Sequence, residues 1–348
     1  MGDLVRWGVA GPGSIAAQFA EGMRQVDGGT VVAVASRSSE RAKAFAERFD
    51  IERPYGSYED LAADDGVDVV YIGTPHSRHA ADSLLYIGAG KHVLCEKPFT
   101  LNAAQAREVV AAARERARFV MEAMWTRFLP SYRVLSDVLA EGRIGEPLLV
   151  EADFGFRSPV DPTNRHFDLE QGGGALLDLG IYPVQLCHLV LGPPDAVVAQ
   201  GHVGETGVDE QVAAVLHHAG GKLGVVKTAI RTPMACTGRI AGTDGTIDLP
   251  AFMHCPDHIT VRGVGGEERI DAPWKGEGLR FQVEEVHRCL DAGLLESERM
   301  RLDESVAIAE TLDAIRAQIG VRYPGEEMQR RRGRVAETPE RNRPGEEA

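Results

Sequence analysis

The sequence lacks the features that would tie it to a membrane or to nucleic acid. No apolar run approaches the ~20 residues needed to span a bilayer. Arg6 and Trp7 interrupt the N-terminal stretch where a signal peptide would need its apolar core. Basic residues are outnumbered: 38 Lys and Arg face 52 Asp and Glu, for a formal net charge of -14. That balance opposes nucleic acid and anionic membrane surfaces as partners. Cysteine is scarce as well. Cys95, Cys187, Cys236, Cys255 and Cys289 are scattered and odd in number, which suits reduced thiols in a cytoplasmic protein. Metal-type residues gather at His254-Cys255-Pro256-Asp257-His258, but the spacing matches no zinc site and Pro256 indicates a loop. No metal is expected. What remains is a normal apolar content of 43% in 348 residues, too many for one ordinary core, so two domains are expected.

The first half reads as a nucleotide site. Val5 to Ala10 is a short apolar strand that runs into Gly11-Pro12-Gly13-Ser14-Ile15-Ala16, and a helix follows. In this strand, G-x-G-x-x-A, helix order the first glycine makes the turn and the second lets the backbone approach a pyrophosphate. The helix N-terminus attracts the phosphates. The next strand, Val31 to Ala35, has no Asp or Glu at its end to hold ribose hydroxyls; it runs into Ser36 and Arg37, with Arg41 beyond. Guanidiniums there suit a 2′-phosphate, so NADP is favoured over NAD. The strand Val67 to Ile72 ends in Gly73-Thr74-Pro75-His76, small and rigid residues that let the chain pass close to a cofactor. His76 then sits near its nicotinamide end. Val93-Leu94-Cys95-Glu96-Lys97-Pro98-Phe99 follows as a buried strand ending in a carboxylate, an amine and a proline. An amine at a strand's carboxyl end points into the ligand crevice of an open parallel sheet, and the Lys97–Pro98 bond is a candidate for the cis form. These elements make a doubly wound Rossmann domain over residues 1–125.

After Pro130 the pattern changes. Amphipathic helices alternate with short strands separated by turns such as Gly220-Gly221 and Asp244-Gly245. This predicts an α+β domain over residues 126–324, its sheet largely antiparallel with one open face. Such a face invites a second copy of the chain, and a homodimer through this sheet is expected. Within this half, Gly172-Gly173-Gly174 precedes a helix over Ala175 to Leu189, with Asp178 and Tyr182 on one face four residues apart. From Gly325 the chain is charged and proline-bearing, and it reads as a disordered tail.

Gly11-Pro12-Gly13, Gly73-Thr74-Pro75-His76, His79 and Gly90 to Pro98 resemble the glucose–fructose oxidoreductase / inositol dehydrogenase family. Met121 to Phe128, Gly172 to Tyr182 and Glu205 to Asp209 are similar to its branch of dimeric dihydrodiol dehydrogenases and NADP-dependent D-xylose 1-dehydrogenases. The resemblance implies hydride transfer between NADP and a sugar or cyclic diol, with Lys97, Tyr182 and Asp178 as catalytic residues. It extends the cofactor contacts to His79, Glu96, Trp125 and Arg127, beside Gly11, Gly13, Ser14, Ile15, Ser36, Arg37, Arg41, Thr74, Pro75, His76 and Lys97. Trp125 and Phe154 would form a flat wall for the substrate, with His76, Asp178 and Tyr182 as its polar partners. The Lys97 ammonium is expected to lower the Tyr182 pKa toward a useful base. The alternatives are a reductase of a sugar carbonyl such as an anhydro-ketose, and a non-catalytic regulator that binds NADPH.

Overall fold

A computed structural model describes residues 4–326. In the first half, β1 (Val5–Ala10), β2 (Gly29–Ala35), β3 (Arg53–Tyr55), β4 (Val69–Ile72), β5 (His92–Glu96) and β6 (Val120–Ala123) form a parallel sheet in the order β3-β2-β1-β4-β5-β6. The interleaved helices are α1 (Ser14–Met23), α2 (Ser39–Phe49), α3 (Tyr58–Ala62), α4 (His79–Gly88) and α5 (Ala103–Glu115). The strands are apolar almost throughout because helices cover both faces. The chain order reverses between β1 and β4, and the crevice at such a switch point is where doubly wound sheets bind ligands.

After α6 (Pro130–Ala140) comes an eight-stranded sheet: β7 (Pro147–Gly155), α7 (Ile181–Leu191), β8 (Pro194–Val203), β9 (Asp209–His218), β10 (Lys222–Ala229), β11 (Gly238–Gly242), β12 (Gly245–Leu249), β13 (His258–Gly263) and β14 (Gly266–Asp271). Neighbours are antiparallel except β7 and β10, which pair in parallel. The crossover between those two strands contains α7, which packs on both of them. Helices α8 (Arg280–Asp291) and α9 (Leu302–Ile319) close the fold, α9 lying against α5 of the first half and α7 and β8 of the second. The two halves share a core. One apolar cluster runs from Trp7, Phe19 and Tyr71 to Val150, Ile240 and Ile247. The other face of the first sheet has its own cluster around Val70, Ile72 and Val109.

Three expectations change. The segment Leu169–Leu191 is long and apolar enough to cross a membrane on length and composition, but most of it is buried inside the fold, as a core helix is. The helix expected from Ala175 to Leu189 is two pieces: a π-helical turn, Leu176–Gly180, runs into α7. Of the segment expected as a disordered tail from Gly325, Glu326 is instead held in the fold, its carboxylate bonded to Arg316 at 2.8 Å; the rest, from residue 327, lies outside the described residues. On the open face of the second sheet, Val198, Val215 and Val225 stand abreast, with Leu223 beside Leu149 in the next row.

Candidate active site

A cleft of about 580 Å³ follows the carboxyl ends of β1, β2, β4 and β5. Gly11, Gly13, Ser14, Ile15, Ser36, Arg37, Arg41, Thr74, Pro75, His76, His79, Glu96, Lys97 and Asp178 all line it. Gly11 has φ +86°, and a Cβ there would stand 2.9 Å from the Thr74 amide nitrogen, so only glycine fits. At Gly13 a Cβ would meet nothing within 4 Å, which leaves the backbone open to a ligand. Helices α2, α3 and α5 are capped by Ser38, Ser57 and Asn102, whereas α1 has no side-chain cap and no acidic residue in its first turn. Its free N–H groups and positive dipole end therefore face the cleft, as phosphate binding requires. Arg37 and Arg41 are exposed beyond the end of β2, and the nearby Glu40 carboxylate is bonded to the Ser38 hydroxyl. The residues present thus fit a dinucleotide whose adenosine end carries extra negative charge.

At the other end of the cleft, groups from both sheets converge. The Lys97 ammonium donates to the Asp178 carboxylate at 2.9 Å and to the Asp178 carbonyl at 2.8 Å. It lies 5.1 Å from the centre of the Tyr182 ring. The ammonium therefore lies over the face of the Tyr182 ring, and the Lys97–Pro98 bond is cis. Asp178 also accepts from Arg165 (3.0 Å), lies 3.2 Å from His166 and 3.8 Å from His76. Burial alone would raise its pKa, but Lys97, His166, Arg165 and His76 hold it well below the usual carboxylate range. Burial, the largest single influence, pulls Lys97 down, but the Asp178 charge and hydrogen bond together with Tyr182 and Glu96 outweigh it, and the ammonium is held firmly. Tyr182 departs from expectation. Burial pushes its pKa above the ordinary value, with the Lys97 charge and the Trp125 N–H bond opposing without winning. His76 is driven to about 3 by burial and is neutral. Its Nδ1–H donates to the Gly172 carbonyl (2.9 Å), so the Nε2 lone pair is free to accept a hydroxyl. Burial also pushes Glu96 up to about 7, beside the Tyr71 hydroxyl that donates to it at 2.7 Å.

The substrate wall is partly as expected. Trp125 does not line the dinucleotide cleft; its indole N–H donates to the Tyr182 oxygen at 3.0 Å. Phe154 stands edge-on to Tyr182 with ring centres 5.4 Å apart. Arg127 is a correction. It is buried away from the cleft, paired with Glu304 at 2.7 Å and bonded to Gln185, so it braces α7 against α9. His79 reaches the cleft but is spent on structure, with its nitrogens against the carbonyls of Pro98 (2.8 Å) and Thr74 (2.9 Å). The sequence reading passed over Arg165, His166, Gln171 and His254. His254 belongs to the segment read as a plain loop, yet its ring lies 4.4 Å from Phe154, 5.0 Å from Tyr182 and 5.7 Å from Trp125. A lone histidine in a loop has no periodic signal that could have placed it in this aromatic box.

Comparison with known proteins agrees with the geometry. Residues 5–124 match the model of an oxidoreductase family with an NAD-binding Rossmann fold, and residues 132–248 match the GFO/IDH/MocA C-terminal domain. The chain belongs to the GFO/IDH/MocA family. It is an NAD(P)-binding oxidoreductase. Among its relatives in the family is trans-1,2-dihydrobenzene-1,2-diol dehydrogenase of Sus scrofa, 41% identical over 331 residues, 92% of this chain and 98% of that one. The Homo sapiens protein of that name is 40% identical over 330 residues, with the same coverage. A solved GFO/IDH/MocA-like structure is the 3-ketoreductase KijD10 from Actinomadura kijaniata with NADP and TDP-benzene. It is 28% identical with a TM-score of 0.82, over 91% of this chain and 98% of that one. Aldose-aldose oxidoreductase from Caulobacter crescentus shares the fold at 22% identity and a TM-score of 0.81, over 90% and 97% of the two chains.

Proposed function

We propose that this protein is an NADP-dependent dehydrogenase of trans-dihydrodiols or cyclic sugars. The reading rests above all on the Lys97 ammonium lying 5.1 Å from the Tyr182 ring, with Asp178 fixing it there. The names of the relatives point to a diol and the cradle of Arg37 and Arg41 to NADP. Ser14 and the α1 N-terminus would hold the pyrophosphate, and Arg37 and Arg41 the 2′-phosphate. The cofactor, when bound, supplies the hydride acceptor. The protein moves the proton. Tyr182 Oη, in its phenolate form, takes it from the reacting hydroxyl; the Lys97 ammonium and the Trp125 N–H stabilise that phenolate, whose charge is discharged as the proton arrives. His76 Nε2 accepts a neighbouring hydroxyl, and Trp125, Phe154 and His254 offer flat faces to a ring. Run in reverse, the same groups reduce a carbonyl. The raised Tyr182 pKa favours that direction at neutral pH, because it keeps the phenol protonated. The protein acts as a homodimer through the second sheet, and its unpaired cysteines suit the cytoplasm.

The test is an absorbance assay of trans-dihydrodiols and aldoses with NADP+ and NAD+ in parallel. Oxidation with NADP+ is expected, and Arg37→Ser should weaken NADP+ by about ten- to a hundredfold while sparing NAD+, as for the loss of one charge-assisted phosphate contact. Tight NADPH binding with no turnover of any diol, aldose or carbonyl would leave the regulator reading instead.

A further inference from the structure

Lys97 rides on the first sheet and Tyr182 on a helix of the second, so their approach depends on how the two halves are fastened. Apart from the Lys97–Asp178 pair, a second set of bonds joins the two loops from outside the cleft. It is built by the end of α9 and the residues just after it. Arg316, only 4% exposed, donates from Nη2 to the Leu101 carbonyl (3.2 Å), to Asp313 (2.6 Å) and to Glu326 (2.8 Å). The other Asp313 oxygen accepts the Ala103 N–H at 2.9 Å, and Glu326 accepts from the Asn102 side-chain amide at 3.1 Å. Leu101, Asn102 and Ala103 follow closely on Lys97, so the loop carrying the amine is gripped at three consecutive residues.

The same assembly reaches the other loop. The Arg316 guanidinium lies over the Tyr323 ring, 4.8 Å from its centre. The Tyr323 hydroxyl donates to the Gly173 carbonyl at 2.7 Å. Gly173 is in the glycine turn that feeds the helix of Asp178 and Tyr182. No side chain fits there, since a Cβ would stand 2.6 Å from the Arg165 carbonyl oxygen. From Gly173 onward the helix start is seated by Asp209, which accepts the Leu176 N–H at 2.6 Å, and by Thr228, bonded to the Ala175 carbonyl at 3.3 Å. Arg316, Tyr323 and Glu326 are absent from the cleft lining. A phenylalanine at 323 would bury the same ring, so the hydroxyl has one evident use, the bond to the turn.

We infer that Arg316 and Tyr323 are positioning residues, a clasp that fixes the Lys97 loop against the Asp178–Tyr182 helix and so sets the geometry of proton transfer. The kinetic part of this inference rests on the dehydrogenase reading, so the experiment has a second arm that needs no turnover. In full-length Tyr323→Phe, kcat is expected to fall by about tenfold or more, as it does when reacting groups are displaced by a fraction of an ångström. KM for NADP+ should stay unchanged, because the clasp touches no part of the cofactor cleft. Arg316→Lys, which keeps the charge but loses the fork, should show the same split. The second arm is amide hydrogen exchange of the NADPH-bound protein, in which residues 97–103 and 172–182 should lose protection together in both variants. A kcat and exchange pattern like the wild type, with only the melting temperature lowered, would show that the clasp merely stabilises. If the wild type turns over no diol, sugar or carbonyl, the functional reading fails and exchange decides alone. Joint loss upholds the clasp, and loss confined to residues 172–176 overturns it.

Discussion

Asp178 shows how far one residue's chemistry is set by its neighbours. Its carboxylate is buried, which by itself favours the neutral acid, but Lys97, Arg165, His166 and His76 surround it and keep it ionised. It is therefore a holder of charge rather than a proton donor. Asp178→Asn should lower kcat by about a hundredfold, since it removes the anchor that directs the ammonium at Tyr182. It should also destabilise the fold by ~3–5 kcal/mol by leaving Lys97 buried without its partner. Steady-state kinetics and thermal unfolding check the two parts. The pH dependence follows from Tyr182. Oxidation needs the deprotonated phenol, and its pKa lies above the ordinary tyrosine value, so kcat for oxidation should climb with pH and show no plateau through neutrality. Lys97→Met removes the main opposing charge and should move that climb to still higher pH; a profile identical to the wild type would sink the role given to Lys97. Lys97, Asp178 and Tyr182 were legible because each combines a chemical type with a fixed place on a strand end or helix. Arg127 was misplaced because its segment points to the site as far as Trp125, while three-dimensional packing turns the next turn of chain toward Gln185 and Glu304.

At the scale of an element, the π-helical turn Leu176–Gly180 is the feature that the sequence concealed. Every residue from Leu176 to His188 is buried, so no polar stripe marks the helical register and a change of pitch leaves no trace in the pattern. Within this turn the Asp178 carbonyl accepts from the Lys97 ammonium at 2.8 Å. Its start is seated on Asp209, whose second oxygen, Oδ1, has no hydrogen-bond partner. Burial raises the Asp209 pKa to about 7, above the unfolded value near ~4. A raised native pKa means the folded protein holds a proton that the unfolded chain has released. Its stabilisation is complete below pH ~4 and is lost as pH rises through about 7. Asp209→Asn keeps an acceptor for the Leu176 N–H and carries no charge. The variant's melting temperature should therefore fall less than the wild type's between pH 5 and pH 8, the difference corresponding to a few kcal/mol, of order 1.4 per pKa unit. Parallel curves would mean that Asp209 is already ionised in the native protein across that range.

Among the described residues, the second sheet has a face that no helix covers. The alternation of β7 to β10 disclosed an open-faced sheet in the sequence, but not the parallel pairing of β7 with β10, because alternation reports which face a residue takes and not which strand lies alongside. On that face Val198, 59% exposed, adjoins Val215, which in turn adjoins Val225, and Leu223 adjoins Leu149. Glu151 and Arg239 pair beside them and give the apolar patch a charged border. An apolar centre with a polar rim is the pattern that protein–protein interfaces share. The site helix α7 lies against the opposite face of the sheet. Val215→Glu puts a charge at the centre of the patch, where two copies would bring like charges together. Sedimentation should find the wild type dimeric and the variant monomeric at micromolar concentration. NADPH affinity should not change, because the cofactor cleft belongs to the first sheet. A wild type that sediments as a monomer at tens of micromolar would remove the dimer and leave the patch without an occupant.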